Sequence, residues 1–213
     1  MKRIVLAVIV SLFIGQINTN AQCPEAVDLG LSVKWASFNV GAWAPEEVGD
    51  YYAWGEIKTK EVFAGTTYRW YNSSHELLKY KTSTYSRNGD NRTVLELKDD
   101  IAHVMYGGQW RMPTMEEWEE LMDNCNWLWT EVNGICGYVV TGINDNSIFL
   151  PASGHMDRDS KYEVRCGYYW SSSVNQNSNG EAHYLFFQNG YVGSYLRARS
   201  YGMVVRPVWE QLD

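Results

Sequence analysis

One unbroken run, Gly107-Gly-Gln-Trp-Arg-Met-Pro-Thr-Met-Glu-Glu-Trp-Glu-Glu-Leu-Met-Asp-Asn-Cys125, constrains this chain most, because it spells a glycine turn, a capped helix and that helix's buried face. Thr114 followed three residues later by Glu117 is a capping box, in which hydroxyl and carboxylate satisfy backbone N–H groups left free by the first helical turn. Met115, Trp118, Leu121, Met122 and Cys125 recur at helical spacing and form one apolar stripe. Glu116, Glu117, Glu119 and Glu120 then face water near the positive end of the helix dipole. Acid/base chemistry would need a second group opposite one of them, so the carboxylates are read as structural and no catalytic residue is assigned.

The first 21 residues follow the three-part plan of a secretory leader: Lys2 and Arg3, an apolar run from Ile4 to Ile14, then Asn20-Ala21 before Gln22. Residues 22–213 are read as one exported domain, periplasmic, cell-surface or extracellular, with no transmembrane segment. Gln22 is not small, which speaks against lipidation of Cys23. Loss of Lys2 and Arg3 with the leader takes the formal net charge from −7 to −9. Scattered, outnumbered basic residues argue against nucleic acid and anionic lipid as partners. The four cysteines permit up to two disulfides, and Cys125–Cys136, which closes a short loop, is the candidate pair, against a free thiol at Cys125 on the helix stripe. No CxxC occurs and the four histidines are far apart in sequence, so neither a metal site nor a cofactor is expected.

Alternation of Val27, Leu29, Leu31, Val33 and Trp35 with polar residues predicts a half-buried strand, and Met203 to Val208 predicts another, confined by Pro207 to an edge or terminal position. These two ends are expected to pair. Asp99 and Asp100 open a short helix that Gly107 stops. Tyr51 to Arg92 lacks periodicity and is read as an ordered, irregular insertion. From Gly137 onward short β-like runs follow: Tyr138 to Thr141, Ser147 to Leu150, Tyr168 to Ser172, and His183 to Gln188 joined through Asn189-Gly190 to Tyr191 onward, a hairpin signal because both turn residues tolerate positive φ. The fold class is α+β, with two helices and a loop-rich, mainly antiparallel sheet.

With the segments placed, the chain resembles the Fibrobacter succinogenes major paralogous domain family, which belongs with the C-type-lectin-like folds. The residues that carry the resemblance are Val27-Asp-Leu-Gly-Leu-Ser-Val-Lys-Trp-Ala-Ser-Phe-Asn-Val-Gly41, Gly49-Asp-Tyr-Tyr-Ala-Trp-Gly-Glu56, Gly108-Gln-Trp-Arg-Met-Pro-Thr114, Ile148-Phe-Leu-Pro-Ala-Ser-Gly154, Gly167-Tyr-Tyr-Trp-Ser-Ser-Ser173 and Val205-Arg-Pro-Val208. The resemblance implies a C-type-lectin-like scaffold with variable binding loops, and leaves activity to be argued from a site. The Glu-Pro-Asn or Gln-Pro-Asp and Trp-Asn-Asp triplets of calcium-dependent lectins are absent, as is the cysteine signature of the related formylglycine-generating oxidases. In some proteins of this fold a terminal segment is diversified by a retroelement, and Ser173 to Tyr201 has that layout.

That segment is also where the residues themselves place a ligand. Tyrosine supplies rigid contact area at low entropic cost, while Asn and Ser adapt their hydrogen bonds. Leu185, Phe187 and Val192 are expected to fill the inward pleat, which turns Tyr184, Phe186 and Gln188 outward. With Asn177, Asn179, Tyr191, Tyr195 and Arg197 these would make an aromatic, non-enzymatic recognition surface for a surface protein or glycan. The alternatives are an enzyme of unassigned class, oxidase-like or a hydrolase, and a structural subunit of a cell-surface assembly.

Overall fold

The computed structural model describes residues 22–82, 88–178 and 180–211. The leader read at 1–21, residues 83–87 of the irregular stretch and Asn179 of the ligand surface lie outside the described residues. In chain order the regular elements are β1 (Ala26–Val27), β2 (Lys34–Ala36), α1 (Ile101–Tyr106), β3 (Trp110–Arg111), α2 (Met115–Asn124), β4 (Asn126–Val132), β5 (Ile135–Thr141), β6 (Ser147–Pro151), β7 (His155–Asp157), β8 (Ser160–Tyr162), β9 (Gly167–Val174), β10 (Glu181–Gln188), β11 (Tyr191–Ala198) and β12 (Val208–Trp209). The paired strands are antiparallel and lie in four small sheets, ordered β1-β2-β12-β3, β11-β10-β9, β4-β5-β6 and β7-β8. This is an α+β fold with two α-helices among the described residues.

Both helices begin as the sequence dictates. Thr114 Oγ1 accepts from Glu117 N–H at 3.3 Å and Glu117 accepts from Thr114 N–H at 2.8 Å, which closes the capping box of α2. Glu117 does more than cap, since its two oxygens also receive the Arg111 guanidinium at 2.8 and 2.6 Å. Asp100 caps α1 by accepting from Ala102 and His103, and its other oxygen takes Met112 N–H at 2.7 Å. Its burial pushes the carboxyl pKa up to about 6, against the three N–H groups that favour the charged form. Gly107, at φ +66°, ends the helix.

The terminal pairing is observed too: Val208 stands opposite Trp35 on one side and Arg111 on the other. Pro207 precedes the strand, where its missing N–H costs no ladder bond, and its carbonyl accepts from Ala36 N–H. Arg206, fully buried, ties this sheet to β6 by donating to Ala36 O and Phe149 O at 2.9 and 2.7 Å. Burial lowers its pKa to about 10.

Where the core lies follows from the period-two side-chain alternation along β9 and β10. Tyr169, Leu185 and Phe187 point into one apolar cluster with Trp35, Trp118, Leu121 and Leu150. Tyr168, Trp170, Ala182 and Tyr184 point the other way, into a second cluster with Trp54, Tyr80, Tyr52 and Ile101. This sheet is therefore packed on both faces, and all eight residues of β9 are buried. Two cores in one small protein account for much of its aromatic content.

Two expectations need correction. The single strand over Val27 to Trp35 is two short pieces, with Val27 opposite Trp35, because the chain bends at Gly30. Gly30 has φ +76°, its N–H bonds Asp28 Oδ1, and an added Cβ would lie 2.7 Å from Ile143. The bend still sends Leu29, Val33 and Trp35 into one cluster, so the apolar pattern is kept while the strand is not. Finally, Cys125 and Cys136 are free thiols. Cys125 ends α2, whereas the pairing of Asn126 with Thr141 and of Glu131 with Cys136 puts Cys136 at the far end of the β4–β5 hairpin. Five strand residues span about 17 Å, well beyond the roughly 7 Å a disulfide allows between Cα atoms.

Candidate functional site

The β10–β11 hairpin carries most of the residues expected at a ligand surface, and the ladder decides which of them meet. Tyr184 stands opposite Tyr195, Phe186 opposite Gly193 and Gln188 opposite Tyr191, so all of these share one face. Tyr191 and Tyr195 are 43% and 44% exposed, with their hydroxyls 2.6 Å apart. The Tyr191 ring reaches across Gly193, where a Cβ would sit 2.7 Å from its hydroxyl. Half-buried Phe186 lies beneath both rings, at centroid distances of 6.1 Å from Tyr191 and 5.7 Å from Tyr195.

Tyr184 does not turn outward into water. It is only 6% exposed, stacks on Tyr168 at 5.6 Å and meets Trp170 edge-on at 6.2 Å. Its face is opposite that of Leu185, as period two requires, but that face is covered by the second core. Burial raises its hydroxyl pKa, partly countered by Arg197. Tyr184 is thus a floor for the exposed rings, 6.1 Å from Tyr195.

Arg197 is engaged rather than free. Its guanidinium lies 4.3 Å over the Tyr201 ring and donates to His155 Nε2 at 3.1 Å. Because an arginine can only donate, Nε2 is the acceptor and the imidazole proton sits on Nδ1. That Nδ1 is buried without a hydrogen-bond partner among the described residues, 3.7 Å from the Glu163 carboxylate. Burial, then Arg197, lowers the His155 pKa below the usual histidine value. Sequence reasoning missed His155 and its neighbour Tyr162, which reach the site on the β7–β8 ribbon, whereas Tyr201, in the turn after β11, ends the stretch already read as the ligand region. No periodic signal marks His155 and Tyr162, which lie on two three-residue strands.

The other expected residues are elsewhere. Asn177 lies at a cleft of about 450 Å³ on the α2 side of the sheet, with Glu116, Glu119, His183 and Leu196. Gln188 lines a different cleft beside Trp129, and its carbonyl accepts from Tyr138 Oη at 3.0 Å. The assembled site is therefore Phe186, Tyr191 and Tyr195 above Tyr184, with Arg197 and His155 at one end.

One further property comes from the backbone. In a two-residue hairpin the closing pair, Gln188 and Tyr191, is hydrogen-bonded, so Gly193, Tyr195 and Arg197 also turn their N–H and C=O towards β10. Val192, Ser194 and Leu196 turn theirs outward along the free edge of β11, with no partner among the described residues. Among the described residues no helix is long and apolar enough to cross a membrane. Comparison of the chain with protein-family models, curated proteins and solved structures finds no match.

Proposed function

We propose that this chain is an exported, non-enzymatic recognition module with a C-type-lectin-like fold of the Fibrobacter succinogenes major paralogous domain type, and that it binds a surface protein or glycan through the outer part of its C-terminal hairpin. The fold reading is supported by the paired terminal strands, the two helices and the run of matching residues from Val27 to Val208. The binding reading rests on the half-exposed Tyr191–Tyr195 pair, held by a mutual hydrogen bond over Phe186. Rigid tyrosines at a sheet edge present apolar area and hydroxyls together, which suits either a sugar ring or an apolar side chain.

An extended polypeptide is the favoured ligand. Three outward N–H and three outward C=O groups of Val192, Ser194 and Leu196 run beside the rings, and a peptide strand can pair with such an edge while its side chains contact tyrosine. The test is to probe a surface-protein and glycan array with the wild-type domain, the Tyr191→Ala/Tyr195→Ala double variant and Ser194→Pro. Proline at position 194 removes an outward donor without touching the β10 ladder. Loss of a protein ligand in both variants supports strand addition. Loss of a glycan in the tyrosine variant alone supports stacking. Retention of every ligand by the tyrosine variant refutes the site.

A further inference from the structure

We propose that Cys136 and Cys166 are a redox pair that closes to a disulfide and staples the two larger apolar cores together. Both residues line one cleft, with Trp129, Arg165, Gln188 and Asn189 around them. The backbone shows how they come to be neighbours. Ala152 N–H donates to Cys136 O at 2.8 Å and Gly154 N–H donates to Cys166 O at 2.8 Å. The two cysteines are thus strapped to positions two residues apart on one segment, a span of at most about 7 Å of chain. Ser153, fully buried between those positions, locks the arrangement by accepting from Tyr168 N–H at 3.0 Å.

Neither thiol is committed elsewhere. Both are free and half-buried, and among the described residues the polar contact given to Cys136 Sγ is a long one, 3.8 Å to Glu131. Cys125 is excluded as the partner of Cys136 by the length of the β4–β5 hairpin, and Cys23 stands exposed at the start of the described chain. Cys136 packs against the cluster that holds Trp118 and Phe187, whereas Cys166 packs against the one that holds Trp54 and Trp170. A bond between them links segments that belong to different cores and encloses β6, β7 and β8, including His155.

The oxidant is a disulfide compound. One cysteine thiolate attacks a sulfur of the donor, the donor S–S bond breaks and one thiolate leaves. The second cysteine then attacks the mixed disulfide, forming the internal S–S bond and releasing the other donor thiolate. The protein loses two electrons and two thiol protons, and the donor is reduced to two thiols. Closure of a loop of this length constrains the unfolded chain.

The folded protein, treated with glutathione disulfide and digested without reductant, is expected to give one cross-linked peptide pair joining Cys136 to Cys166, lighter by two hydrogens than the free peptides. Its Tm should rise by roughly 5–10 °C, reversibly with dithiothreitol. Cys136→Ser and Cys166→Ser should each abolish the link and the Tm rise, while Cys125→Ser keeps both. Glutathione retained on both cysteines, a bridge that uses Cys23 or Cys125, or two unreacted thiols would each overturn the assignment.

Discussion

Strands β10 and β11 are equally long and paired residue for residue, yet one lies within the protein and the other along its rim. β10 presents Leu185 and Phe187 to one core and Ala182 and Tyr184 to the other. β11, paired on one side only, leaves Tyr191, Tyr195 and Leu196 each more than a third exposed. The difference shows that side-chain alternation decides which way a residue points but not whether anything stands there. Cover is a tertiary property, supplied at Tyr184 by Tyr168 and Trp170 within a cluster that also draws in Trp54 and Tyr80 from far along the chain.

The contrast yields predictions of decreasing size. Phe187, fully buried against Tyr138 and Tyr169, should cost about 4 kcal/mol as Phe187→Ala, while its partner across the ladder, Val192→Ala, should cost about 1 kcal/mol. Urea unfolding measures both, and similar losses would break the comparison. The opposed tyrosines sharpen it on the other face. Tyr184→Ala should cost about 3 kcal/mol, a Tm fall of roughly 6–12 °C, because it leaves a void between Tyr168 and Trp170. Tyr195→Ala, at the same ladder position on the rim, should stay within about 0.5 kcal/mol of wild type.

A smaller, pH-dependent effect belongs to His155, between the two regions. Its folded-state pKa lies below the ordinary 6.5, so the unfolded chain takes up the proton more readily. Its contribution is fully present above about 6.5 and is lost as pH falls below that value through the lower folded-state pKa. Protonation would also set two cations against each other at the Arg197 contact. The unfolding midpoint of the wild type should therefore drop more between pH 7 and 5 than that of His155→Gln, whose amide can still accept from Arg197. His183 and Asp100 also titrate with shifted pKa values, but they are common to both proteins and cancel in the difference. Parallel pH profiles would contradict the role given to His155.

Local chemistry made much of the fold legible. Thr114 and Glu117 fixed the start of α2, Asp100 and Gly107 bounded α1, and the runs after Gly137 became β5, β6, β9, β10 and β11. What escaped was non-local. β4 was missed because Trp127 and Trp129 are inward only by virtue of pairing with β5. The bend at Gly30 hid inside a pattern that a strand would also satisfy. On the hairpin, the shared face of Tyr191, Tyr195 and Phe186 was legible from sequence, since a two-residue turn fixes their register. Tyr184 was misjudged for want of the second core, and His155 and Tyr162 approach from a ribbon whose proximity no spacing encodes.

On the proposed function, the rim tyrosines recognise a ligand while their buried counterpart holds the fold. The direct measurement is the affinity of the Tyr191→Ala/Tyr195→Ala variant for whichever array ligand the wild-type domain selects, paired with its Tm. The account predicts at least a tenfold loss of affinity, about 1.4 kcal/mol, with Tm nearly unchanged. Undiminished affinity in a folded variant would contradict it.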